Sequence, residues 1–97
     1  MIIVRDVFQA KYGKGSDLVA LFKEFRSKIA TTVAEYRILT DASGPFFTVV
    51  TEMQFESMSA WEQQSTEIFS RPEFGDWFVH MMPLVESGRR DFYKIEK

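Results

Sequence analysis

His80 is the only histidine in the chain, and so the only side chain whose ordinary pKa lies close to neutrality. If Phe74–Met82 is helical, Asp76 stands one turn ahead of it and Trp77 lies beside both. An Asp–His pair fixes the imidazole tautomer. That would suit His80 to act as a general base or as an axial ligand to iron. The same spacing also describes an ordinary exposed helix face, where such a pair contributes only about 0.2–0.5 kcal/mol.

Little other site chemistry is open to this sequence. It contains no cysteine, which removes disulfides, thiolate metal centres and thiol catalysis. One histidine cannot build a histidine-rich metal site, and no carboxylates at helical spacing stand out as metal ligands, so neither a metal nor a cofactor is expected. There is no asparagine. Gly13-Lys14-Gly15 lacks the further glycine of a nucleotide-binding loop, and no Gly-x-Ser-x-Gly elbow occurs. Twelve basic residues against 14 acidic ones, net −2, leave no basic stripe for nucleic acid. The apolar start Met1–Val4 meets Arg5 and Asp6 at once, too short for a membrane span or a signal peptide. A cytoplasmic location is the default expectation.

The 97 residues suit one domain, 1–97. Ile2 to Ala10 alternates as a strand, with Ile2, Val4, Asp6, Phe8 and Ala10 on one face and Ile3, Arg5, Val7 and Gln9 on the other. After a Gly13–Gly15 turn, Ser16 or Asp17 caps a helix reaching Thr32. Its stripe is Leu18, Phe22, Phe25 and Ile29. Ala34–Thr40 and Phe46–Phe55 read as a hairpin around Asp41–Pro45. Ser57–Ser70 reads as a helix capped by Ser57 or by a Ser59–Glu62 box. Pro72 then opens a further helical segment to Met82, and Arg89–Ile95 forms the last strand. Strand, helix, strand, strand, helix, strand is the ferredoxin-like α+β arrangement, β-α-β-β-α-β: a four-stranded antiparallel sheet with helices on one face.

Ten Phe, three Tyr and two Trp are a large aromatic load for so short a chain. Each ring system can bury roughly 150–250 Å². A domain this small hides only about 60% of its unfolded surface. With apolar residues on both faces of several strands, part of this area should be covered by a second subunit or a ligand. Phe47 or Tyr36 is then a position where Asp or Lys would separate subunits, the sequence leaving open which face meets the partner. Arg5, Asp6, Arg37, Glu52, Arg90 and Asp91 stand in strands where covered faces want apolar groups. They must be ion-paired or solvated, by strand-to-strand bridges or at strand ends.

The segment Val7–Gly15, the hairpin Tyr36–Phe55 and the passage Phe55-Glu56-Ser57-Met58-Ser59-Ala60-Trp61 into the next helix resemble the dimeric α/β-barrel superfamily. That group includes NIPSNAP-like proteins, stress-responsive barrel domains and antibiotic-biosynthesis monooxygenases. The likeness spans nearly the whole chain. It implies a homodimer with facing sheets and a cleft between each sheet and its own helices. The haem-degrading relatives use a His and a Trp of the second helical region and an Asn on the first strand. His80 with Trp61 or Trp77 would match the first two, and the missing asparagine leaves the third unmatched. Cofactor-independent monooxygenases of this fold instead need an apolar cleft with a few polar anchors. Phe22, Phe25, Phe47, Phe74, Trp77, Phe78, Met81 and Met82 would line it, with His80, Tyr36 and Arg37 as anchors, unless the same side chains simply fill the core. The expectation is a homodimeric barrel protein of NIPSNAP-like or stress-responsive type that binds a small apolar or aromatic ligand. The alternative is a cofactor-independent monooxygenase or isomerase acting on an aromatic compound.

Overall fold

The computed structural model describes residues 1–29, 33 and 35–97. The expected helix end at Thr32 and strand start at Ala34 fall on residues outside that description. The expected element order is found, with the second crossover divided in two. Strand β1 (Ile2–Ala10) leads to helix α1 (Gly15–Ile29), strand β2 (Tyr36–Thr40) and strand β3 (Thr48–Phe55). Helices α2 (Met58–Phe69) and α3 (Pro72–Met81) follow, then a 3-10 turn (Met82–Leu84) and strand β4 (Val85–Lys94).

The chain chemistry explains these boundaries. Gly13 adopts φ +81°, a left-handed turn that an L side chain resists, and α1 begins directly after it. Ser16 and Asp17 therefore lie inside the first turn, where the Asp17 carboxylate suits the positive end of the helix dipole. Ser57 is the cap of α2: its hydroxyl accepts from the Ala60 N–H at 3.1 Å. Pro72 disfavours helical backbone at Arg71, which is extended (φ −73°, ψ 135°), so the chain bends there and α3 starts afresh.

Two expected strand limits are corrected. Phe46 and Phe47 belong to the β2–β3 connection, not to β3. Phe47 has φ +62°, which breaks the extended run, and its carbonyl accepts from the Ala10 N–H at 3.0 Å. β4 starts at Val85, ahead of the expected Arg89, because β1 pairs with it along its full length.

The sheet is antiparallel in the order β2-β3-β1-β4. The three helices cover the face that carries Val4, Ala10 and Val49, all fully buried. The stripe Leu18, Phe22 and Ile29 of α1 is buried against it, with Phe25 half-buried. Val33, Phe55 and Ile68 close the lower half of this core.

The opposite face is uncovered. Register places Ile3, Arg5, Val7 and Gln9 there, with Val50, Glu52, Arg37, Leu39, Arg89, Asp91 and Tyr93. Only one of these, Tyr93, is aromatic. The open face is thus apolar in part, mostly through aliphatic side chains, while Phe8, Tyr36, Phe55 and Phe92 alternate toward the helices. Among the described residues no helix is long and apolar enough to cross a membrane.

Candidate functional site

The register sets one polar row across the helix-covered face. Asp6 of β1 lies opposite Thr51 of β3 on one side and Arg90 of β4 on the other. The rows above and below it are largely apolar: Val4 with Met53 and Phe92, and Phe8 with Val49 and Gly88. Asp6 and Thr51 are both buried. A lone carboxylate in such a place would carry a large desolvation cost. Arg90 meets it with two bonds, Nε to Oδ1 at 2.7 Å and Nη2 to Oδ2 at 3.1 Å. The Arg90 guanidinium also lies over the Trp61 ring at 5.3 Å, and Trp61 meets Phe92 edge-on at 4.9 Å. The Asp6 bond raises the pKa of Arg90 further above its ordinary value.

Above this row the helices do not close down completely. A cavity of about 380 Å³ remains between sheet and helices. α1 lines it with Phe22 and Phe25, α2 with Trp61, Ser65 and Ile68, and α3 with Phe74, Trp77, Phe78 and Met81. The roof is an aromatic lattice: Trp77 stands 4.9 Å from Phe25 and 5.6 Å from Phe22 by ring centroids. Polar groups reach the cavity from the floor (Asp6, Thr51, Arg90 and Tyr36) and from α2 (Ser65). Burial pushes the Tyr36 phenol well above its ordinary range. The Thr51 hydroxyl beside it pulls the other way, and the Asp6 carboxylate adds to the rise. Tyr36 is thus a neutral O–H donor at physiological pH. A cavity of this size and lining falls at the small end of ligand sites.

Eight of the residues the sequence offered for the site meet here: Phe22, Phe25, Tyr36, Trp61, Phe74, Trp77, Phe78 and Met81. Phe47 lies elsewhere, against Gly15 near the start of α1, and Met82 is exposed beyond the end of α3.

The two remaining anchors are not on the wall. His80 is on the outer side of α3 and exposed. Its Nδ1 lies 2.7 Å from the Asp76 backbone carbonyl, so the main chain, not the Asp76 carboxylate, orients the ring. Arg37 projects from the uncovered face, where it and Arg5 clamp Glu52; the Arg5 bond is 2.6 Å. Partial burial raises the Glu52 carboxyl, but Arg37 and Arg5 outweigh it and hold the group below the usual carboxylate range.

Sequence reasoning missed Asp6, Thr51, Ser65 and Arg90 as site residues. It had marked Asp6 and Arg90 as charges in covered strands. What it lacked was the pairing of β1 with β4, which joins two residues 84 apart in the chain. Among the described residues, no three His, Asp or Glu side chains gather as metal ligands.

No family model matches the chain, and no curated protein matches it in sequence. Solved structures do match. An uncharacterized NIPSNAP-domain protein from Burkholderia xenovorans superimposes with a TM-score of 0.88 at 18% identity, over 99% of this chain and 95% of that one. A NIPSNAP family protein of Agrobacterium tumefaciens gives 0.85 at 15% identity, over 96% and 90%. The chain has the fold of the NIPSNAP-domain proteins. SnoaB, a cofactor-independent oxygenase from Streptomyces nogalater, superimposes with a TM-score of 0.75 at 10% identity, over 99% of this chain and 93% of SnoaB. The NIPSNAP fold thus shares its frame with an oxygenase, and at these identities the likeness is one of architecture.

Proposed function

We propose that the protein is a homodimeric, cytoplasmic NIPSNAP-like protein that binds a small aromatic or apolar molecule between its sheet and helices. One observation carries the ligand part: the helix–sheet interface is not filled but holds a cavity of about 380 Å³, aromatic on most sides and polar along one row of its floor. The rings enclose a flat apolar body. Tyr36 and the unused N–H groups of Arg90 give a ligand oxygen its hydrogen bonds.

The dimer part rests on the uncovered face, where Ile3, Val7 and Val50 are half-buried and Leu39 and Tyr93 are exposed. A second copy related by a two-fold axis would cover this surface with its own equivalent.

A second reading follows from the shared frame with SnoaB: a cofactor-independent oxygenase or isomerase acting on an electron-rich aromatic compound in the same cavity. In that reading Asp6, Arg90 and Tyr36 are the polar groups facing the substrate, and His80 is not.

Calorimetric titration with naphthol tests the binding reading. Saturable binding that is lost in Ser65→Phe, a ring driven into the cavity from α2, is the expected result. Binding unchanged by that substitution places the ligand elsewhere and contradicts the reading. Oxygen uptake on adding naphthol separates the oxygenase reading from simple binding.

A further inference from the structure

We propose that Asp6 makes the cavity selective for neutral ligands over carboxylates. The inference rests on the binding reading above and deepens it.

Arg90 alone would be an anion receptor: a guanidinium on an apolar wall, stacked over Trp61, is the group that recognises carboxylates. Here Asp6 already holds one edge of that guanidinium, Nε at 2.7 Å and Nη2 at 3.1 Å, and balances its charge. The pair contributes no net charge to the cavity. Among the described residues, Asp6, Arg90 and Tyr36 are the ionisable ones lining it, and Tyr36 is neutral. A ligand carboxylate entering this space must approach the Asp6 carboxylate and finds the cation's charge already balanced, so repulsion and its own desolvation both oppose it.

A phenol, ketone or quinone meets none of this opposition. Its oxygen can accept from Tyr36 or from a guanidinium N–H that Asp6 leaves free, and its ring lies among Phe22, Phe25 and Trp77. The ligand class is therefore an uncharged aromatic compound carrying an oxygen acceptor. Asp6 acts as a specificity residue by balancing the charge of Arg90 while leaving part of its fork free to donate.

The test compares naphthol with naphthoate, equal in ring system but neutral in the one case and anionic in the other at pH 7, by calorimetric titration. The intact protein should bind naphthol at least about tenfold more tightly, the scale of one close like-charge contact partly screened by protein and water. Asp6→Asn keeps the shape and an oxygen for Arg90 but removes the charge, and it should shift the ratio toward naphthoate by about tenfold or more. Arg90→Gln removes the cation and a donor to the ligand oxygen, so both compounds should weaken, naphthoate the more; the readout is their ratio, which should move further toward naphthol, and it also serves if Asp6→Asn does not fold. Naphthoate binding as tight as naphthol in the intact protein, or a ratio unmoved by either substitution, overturns the proposal and leaves the binding reading standing. Failure of both compounds to bind overturns the two together.

Discussion

The indole N–H of Trp77 donates to the main-chain carbonyl of Leu21 at 2.8 Å, a bond that ties α3 to α1 across 56 residues of chain. Phe22, one residue along, and Trp77 line the same cavity. The bond therefore fixes the spacing of the two helices that roof the site. Trp77→Phe removes the donor and part of the ring. It should cost about 1–3 kcal/mol from the lost bond and the space left behind. Thermal unfolding should register this as a lowered Tm, and a fluorescent apolar probe should bind more weakly because the roof loosens. An unchanged Tm would mean that the tie carries no stability.

Glu52 predicts an acid-sensitive stability on the other face. Its carboxyl is held below its ordinary value of 4.5, burial opposing and the two arginines prevailing. Folding thus favours the ionised form. The stabilisation is fully present above about pH 4.5 and is lost as pH falls through the lower folded value. Arg5 and Arg37 are well exposed, so solvent screening keeps the contribution at about 1 kcal/mol or less. Urea unfolding of Glu52→Gln should match the parent at low pH and be weaker near neutrality, by a margin that shrinks in high salt. A difference that instead grows on acidification would contradict the assignment.

The uncovered face predicts a dimer and says where to break it. Sedimentation at micromolar protein should give twice 11.3 kDa. Val50→Asp or Val7→Asp, on the open face, should give monomers with helical content retained. Tyr36 and Phe47, which the sequence alone offers as interface positions, should not: Tyr36 lines the cavity and Phe47 sits in the β2–β3 connection. A monomeric parent protein removes the dimer from the proposal.

Where residue type and spacing carried the information, the sequence could be read. Leu18, Phe22, Phe25 and Ile29 recur at the helical period and do form the inner stripe of α1. Ile2–Ala10 alternates and is a strand over that full range. Local pattern failed where distant pairing decides. Ser87 and Gly88 have weak strand preference, yet the ladder to β1 holds them extended, Glu86 falling at the register shift between Gln9 and Ala10. Gly88 leaves room there for the Phe8 ring: an added Cβ would stand 3.0 Å from its Cδ1, and the ring would have to give by a few tenths of an ångström. Phe46 and Phe47 fit a strand pattern, but the hydrogen bonds from Gln9 and Ala10 turn them over the end of β1. His80 had the right spacing to Asp76, and spacing says nothing about whether a ring turns to a carboxylate or to the main chain. The cavity, a matter of how completely three helices fill one sheet, has no signature in any single segment.

The chain contains two tryptophans, Trp61 and Trp77, and both line the cavity. Their two indole N–H resonances, followed by NMR while naphthol is added, therefore report on the site directly. Both signals should move together along one saturable curve, with Trp77 also reporting any change in its bond to Leu21. Indole signals that stay fixed while naphthol binds, or while no binding occurs at all, would contradict the claim that this space between sheet and helices is the ligand site.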